Sequence, residues 1–147
     1  LDLVVASVHT LLRQDREQIT KRVANALRNR YVDIIGHPSG RILGQREESA
    51  VDLDAVIQIA AQTGTALEVN SIPSRLDLDD VHIRNALKMG VKIAINSDAH
   101  HPNGLDSLLF GVATARRGWA TAPDVLNTKA LDDIRTWRQA RIAQHRE

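Results

Sequence analysis

Four side chains with metal-binding chemistry stand along this chain: His9, His37, Asp98 and His100. Three of them close apolar, β-rich runs: His9 ends "LVVASVH", His37 ends "VDIIGH" and Asp98 ends "VKIAINSD". Asp98 and His100 are two positions apart, so on extended backbone the carboxylate and the imidazole face the same side. D-x-H alone is a weak signal, because an Asp capping a turn beside a solvated His is spelled the same way. A lone histidine after a buried run is more often a hydrogen-bonded core residue than a ligand. Three histidines and an aspartate at corresponding strand ends are harder to explain in those terms. Neutral imidazole with carboxylate suits Zn, Mn or Fe rather than Ca, and a site with open positions can activate water. Asn70, at the end of "TALEVN", is placed to orient a ligand or substrate from behind.

Convergence of these groups requires parallel strands. The runs at 3–9, 32–37, 65–70 and 91–98 are expected strands, and Gly36 lets the backbone before His37 approach a neighbour closely. Their polar ends lie 28, 33 and 28 residues apart, room for a loop and a returning helix. Residues 15–29 carry Ile19, Val23, Ala26 and Leu27 at helical spacing. Two further helices are punctuated by an Asp N-cap and a Gly C-cap, Asp52 to Gly64 and Asp77 to Gly90. Each Gly precedes an Asn-Ser strand end by the same interval, so the helix–turn–strand unit repeats. Leu105, Leu108, Leu109, Val112 and Ala113 predict another helix, and 131–144 a final amphipathic one. The fold class is therefore α/β, built of parallel βα units, whose chemistry gathers at the strand carboxyl ends.

Bulk properties narrow the partners. With 147 residues, 43% of them hydrophobic, the chain supports one core and a single domain over 1–147. Nineteen Lys and Arg against 18 Asp and Glu give a formal charge of +1, so no global basic field draws in nucleic acid or an anionic membrane. Any polyanion contact is local. The absence of cysteine excludes disulfides and thiolate metal sites. No apolar run approaches membrane-spanning length, which points to a soluble, cytoplasmic protein without a membrane partner. The opening "LDLVVASVH" lacks an initiator Met and begins on a strand-like run, as a cut inside a larger protein would.

The motifs "ASVH", "GHPSGR", "NSDAH" and "DVLNT" after "GVATARRGW", in that order, resemble the C-terminal part of the PHP (polymerase and histidinol phosphatase) domain. The "RLDL" stretch together with "GVATARRGW" is similar to the version attached to bacterial family X DNA polymerases, and the resemblance runs over nearly the whole chain. It implies the C-terminal portion of a distorted (β/α)7 PHP barrel holding two or three divalent ions, Mn or Zn with Fe as a further candidate. His9 and His37 then ligate one metal, while Asp98 and His100 supply the others. The family's remaining ligands, beginning with an H-x-H motif, are expected upstream of Leu1, on the missing N-terminal half of the domain and beyond it a polymerase domain. The implied activity is phosphoester hydrolysis by a metal-activated water at DNA 3′ ends, as a 3′-5′ exonuclease and 3′-phosphatase acting in DNA repair, without a side-chain general base. Two rivals are a histidinol-phosphatase-like enzyme acting on small molecules and a non-catalytic PHP domain whose metal is structural.

Other residues take secondary expectations. Arg75 is a candidate for gripping substrate phosphate, against a salt bridge to Asp77 or Asp79. Arg41 is a second substrate-binding candidate, although Arg41 and Arg46 lie in a loop where a solvated role is the simpler expectation. Arg116 and Arg117 fit either a DNA backbone or an exposed helical face. Glu68, on the same strand face as Asn70, is expected to be buried in a pair inside the barrel. His101 should point away from the His100 side, and His82, mid-helix, and His145 should face solvent. Trp119 and Trp137 are read as packing residues. Unpaired strand edges predict self-association of the isolated chain.

Overall fold

A computed structural model describes residues 1–144. The tail 145–147, expected to be frayed and containing His145, lies outside the described residues. The elements run β1 (Val5–Ala6), α1 (Arg16–Leu27), β2 (Ile34–Ile35), α2 (Leu53–Thr63), β3 (Ala66–Asn70), α3 (Asp80–Lys88), β4 (Ile93–Asn96), α4 (Leu108–Arg117) and α5 (Leu131–Gln144). A 3-10 turn over Pro102–Ser107 precedes α4, and two more, Ala122–Asp124 and Leu126–Thr128, link α4 to α5. The four strands form one parallel sheet in the order β1-β2-β3-β4. This is the α/β arrangement of parallel βα units that the spacing predicts.

Period-two alternation sorts the strand side chains between two faces. One row, Ile35, Leu67 and Ile93, is in register and packs against Ile19, Val23 and Leu27 of α1, Val56 and Ile57 of α2 and Ile83 of α3. Each such side chain contributes about 1.5–3 kcal/mol when fully buried. The opposite face carries a small apolar cluster of Ile34, Ala66, Ala94 and Leu126, with Trp137 of α5 packed on it. Towards the strand carboxyl ends that face turns polar, with Glu68 beside Ala94 and Asn70 beside Asn96.

The caps show what spacing fixes and what it leaves open. Asp52 caps α2 by accepting from the Ala55 N–H at 3.0 Å, and Gly64 ends the helix in the left-handed region. For α3 the N-cap is Asp79, which accepts from the His82 N–H at 2.8 Å, and not Asp77. Three Asp residues crowd this start, at 77, 79 and 80, and the buried one has been drawn into the loop after β2. Gly90 is left-handed as expected but lies one residue past the cap, Met89.

Other departures concern exposure. The run before His9, expected to be buried, forms only a two-residue strand with Val5 48% exposed, because β1 is the sheet's edge and nothing described covers its outer side. The far edge is closed: Asn127 accepts from the Ile95 N–H at 3.0 Å and donates to the Ile95 carbonyl at 2.5 Å. In α4 the apolar residues Leu108, Leu109 and Val112 are exposed, and the buried side is made of Gly111, Thr114 and Ala115. Trp119 is 69% exposed and carries the Arg84 guanidinium over its ring at 3.8 Å, whereas Trp137 packs as expected. His82 is in the first turn of α3, half-buried against Asp79, not a solvent-facing mid-helix residue. At the amino end of β2, Asp33 is buried and accepts from Val4 N, Arg138 Nε and Arg141, which ties the terminal helix to the first two strands.

Candidate functional site

The chain leaves β1 and β2 at the same end of the sheet, and that brings the first two histidines together. His9 Nε2 and His37 Nε2 are 3.2 Å apart, with the rings stacked at 5.1 Å between centroids. The Ser7 hydroxyl lies 2.8 Å from the same His9 nitrogen. Gly36, immediately before His37, eases this close approach, since a Cβ there would stand 3.3 Å from Ser7 Cβ and from Val5 Cγ1 and push those side chains back by a few tenths of an ångström. His37 is buried and His9 exposed, so the pair spans the rim of the sheet. Burial holds the His37 imidazole below the ordinary histidine pKa, and the Arg75 guanidinium pushes the same way against the raising effect of Glu68. Its Nδ1 is buried without a hydrogen-bond partner.

Asp98 and His100 reach the same place from β4. His100 Nδ1 lies 2.7 Å from the Asp98 carbonyl. A carbonyl only accepts, so Nδ1 carries the hydrogen and Nε2 keeps the lone pair of the neutral ring. The Asp98 carboxylate accepts from Asn70 Nδ2 at 3.0 Å, and Arg75 Nε stands 4.0 Å from it. The ion pair of Arg75 is therefore with Asp98, not with Asp77 or Asp79. His9, His37, Arg46, Arg75, Asp98 and His100 together line a cavity of ≈ 290 Å³. Arg46 donates from Nε and NH2 to the Gly40 carbonyl.

Arg41 is placed differently. Its side chain is 17% exposed, with Nε donating to the Arg75 carbonyl at 2.9 Å, NH2 to the Leu76 carbonyl and NH1 to Glu48 at 3.2 Å. It does not line the cavity of the two histidines; it ties down the loop that carries Arg75. It is also not the solvated surface side chain that its loop position implied. His101 caps the following 3-10 turn by accepting from the Asn103 N–H and is absent from the cavity wall.

Two residues central to this geometry were not singled out for it by the sequence. Glu68, 5% exposed, accepts from the His37 N–H at 2.7 Å, from Asn70 Nδ2 at 3.2 Å and from Asn96 Nδ2 at 2.8 Å. Asp77, 1% exposed, accepts from the N–H groups of Ser39 and Gly40 directly after the His37 turn. Burial pushes its carboxyl up to about 6 against these bonds. The only sequence signal for Glu68 is its alternation with Ala66 and Asn70 on one strand face.

Two imidazoles bound to one tetrahedral ion at normal bond lengths have nitrogens about 3.3 Å apart. The His9–His37 spacing matches this, and the His100 imidazole and the Asp98 carboxylate are donor types suited to Zn, Mn or Fe. The donors therefore fit a divalent ion at the histidine pair, although no group of three His, Asp or Glu side chains closes into a metal cluster among the described residues.

Known proteins share this segment. No family model matches the chain. It is 44% identical over 134 residues to the DNA polymerase/3′-5′ exonuclease PolX of Bacillus subtilis, covering 91% of this chain and 24% of that protein. It is 34% identical over 137 residues to a probable phosphatase of Thermoanaerobacter pseudethanolicus, covering 87% of this chain and 54% of the relative. A probable phosphatase of Caldanaerobacter subterraneus is 36% identical over 109 residues, 68% of this chain and 41% of the relative. The chain thus spans about a quarter of the polymerase and about half of the phosphatases it matches. These relatives support, for this chain, the PHP-type domain whose motifs it carries.

Proposed function

We propose that the chain contributes one wall of a metal-dependent phosphoesterase site that acts on DNA 3′ ends, within a cytoplasmic family X polymerase whose polymerase domain and remaining barrel strands lie upstream. The observation that carries this reading is the convergence of the His9–His37 pair, Asp98, His100 and Arg75 on one cavity. Two or three divalent ions, Mn or Zn with Fe as a further candidate, when bound supply electrophilic polarisation of the phosphoryl group and activation of water. His37, neutral because it is buried, offers a nitrogen lone pair at neutral pH, and His100 presents Nε2 because Nδ1 is committed to a carbonyl. Asn70 orients the Asp98 carboxylate by donating to it, and Arg75 places a guanidinium against the cavity where a phosphate oxygen would sit. A guanidinium grips phosphate through paired, charge-assisted bonds.

The probable phosphatases among the relatives favour one alternative substrate, a small phosphomonoester. Hydrolysis of a 3′-phosphorylated oligonucleotide and of p-nitrophenyl phosphate by the intact protein in Mn2+ separates the two. Release of phosphate from the oligonucleotide, with DNA inhibiting p-nitrophenyl phosphate hydrolysis, is expected. Hydrolysis of the small ester with no response to DNA contradicts the DNA-end reading. Loss of one charge-assisted bond amounts to about 1.5–3 kcal/mol. Arg75→Ala is accordingly expected to lower kcat/KM on the oligonucleotide by roughly 10–100-fold, chiefly through KM.

A further inference from the structure

Two residues of the cavity wall hold backbone conformations that side-chain-bearing residues rarely adopt: His37 at φ 31° and Asp98 at φ 50°. Left-handed backbone at a non-glycine residue costs about 1–2 kcal/mol and persists where surrounding bonds determine it. Both residues are ends of one hydrogen-bonded chain. The His37 N–H donates to Glu68 Oε2 at 2.7 Å, Asn70 Nδ2 donates to that same oxygen at 3.2 Å, and the other hydrogen of Nδ2 reaches Asp98 Oδ2 at 3.0 Å. Asn96 Nδ2 donates to the second Glu68 oxygen at 2.8 Å. Among the described residues, no lysine or arginine forms an ion pair with Glu68.

A buried carboxylate with only neutral donors is a costly way to fill space, and an apolar residue would do so more cheaply. What a carboxylate adds here is the capacity to accept three N–H groups from three strand ends at once. We propose that Glu68 is a positioning residue, which fixes the separation of His37 and Asp98 and thereby sets the affinity of the cavity for a divalent cation. This rests on the metal-site reading above. Glu68 is absent from the cavity wall; it reaches His37 through the main-chain N–H and Asp98 through Asn70, and acts only through those two residues.

Glutamine at this position keeps an oxygen for His37 and Asn70, and its amide faces Asn96, whose own amide turns over to accept. Alanine loses all three bonds. The test uses Mn2+ binding followed by electron paramagnetic resonance, together with the 15N–1H resonance of the His37 amide, in the intact protein carrying Glu68→Gln, Glu68→Ala or Leu67→Ala. Leu67 is buried on the other face of β3 and touches none of these bonds, so its variant matches the loss of stability alone. Orienting groups behind a ligand are worth about 10–100-fold in metal affinity. Glu68→Ala is expected to lose that much and to move the His37 amide upfield, with Glu68→Gln within a few-fold of wild type and its amide in place.

Equal losses in Glu68→Ala and in Leu67→Ala at matched melting temperature overturn the proposal, as does a Glu68→Gln protein as impaired as Glu68→Ala. If Glu68→Ala fails to fold, Asn70→Ala carries the comparison, because it cuts the link to Asp98 and leaves Glu68 on His37. Lower affinity with an unmoved His37 amide supports the chain of bonds, and unchanged affinity overturns it. A wild type that binds no Mn2+ sinks the metal reading itself, while the His37 amide in the Glu68 variants still decides whether Glu68 positions that residue.

Discussion

His37 and Asp77 are two buried titratable groups on neighbouring loops whose protonation acts on stability in opposite directions. Burial lowers His37, so the stability it contributes is present above the unfolded histidine value near 6.5 and is lost as the pH falls below it. Asp77 is raised from 3.8 to about 6, so its contribution is complete below 3.8 and is lost as the pH rises through about 6. Near neutrality the Asp77 carboxylate therefore weighs against folding, by about 3 kcal/mol at 1.36 kcal/mol per pH unit. Asp77→Asn retains an oxygen for the Ser39 and Gly40 N–H groups and removes the charge. The stability gap between this variant and wild type should widen in the variant's favour by about that amount from pH 4 to pH 7 in urea denaturation. A gap that stays constant across this range contradicts the assignment. The four candidate ligands were legible in the sequence because each lies at or just past the end of an apolar run. Glu68 and Asp77 were not legible in these roles, because their partners are 31 and 38 residues away and only the paired strands bring them close.

Among the elements, α2 was readable to the residue, from its N-cap Asp52 to its C-cap Gly64. Where aspartates crowd together, as before α3, local pattern does not say which one caps and which one is drawn inward; the packing of the loop after β2 decides that. Helix α4 is the instructive case. Its leucines and valine mark a helix, but the face turned to the sheet is the one with the least side chain. A Cβ at Gly111 would stand 1.9 Å from Ser71 Oγ and 2.8 Å from Ile95 Cγ2. Overpacking of this kind costs about 1–3 kcal/mol. Gly111→Ala should lower stability at least that far in chemical denaturation, whereas Gly44→Ala, with nothing within 4 Å of the added methyl, tests only the strain of its φ of 73°. A Gly111→Ala loss below about 1 kcal/mol would show that α4 does not seat against Ser71 and Ile95 as described. Strand β1 was overestimated because an apolar run marks a strand without saying how many neighbours it has.

For the molecule as a whole, the parallel βα order was legible from the spacing of strand ends and unpaired edges were expected from it, while which edge stays open was not. One edge is closed by the Asn127 side chain; the other, β1, pairs only with β2 among the described residues and exposes Leu3 and Val5. An unpaired apolar edge is a template for further pairing. The isolated 147-residue chain is therefore expected to associate at micromolar concentration in sedimentation velocity, and a clean monomer counts against an open β1. No helix among the described residues is long and apolar enough to cross a membrane. Metal content decides whether the cavity at the strand ends is a metal-dependent phosphoesterase site. Plasma mass spectrometry on the intact protein, wild type against His37→Ala and Asp98→Ala, should be paired with 3′-end hydrolysis on the same samples. Metal and hydrolysis are expected to fall together in both variants. Metal retained in a wild type that hydrolyses nothing would contradict it and leave the metal a structural role.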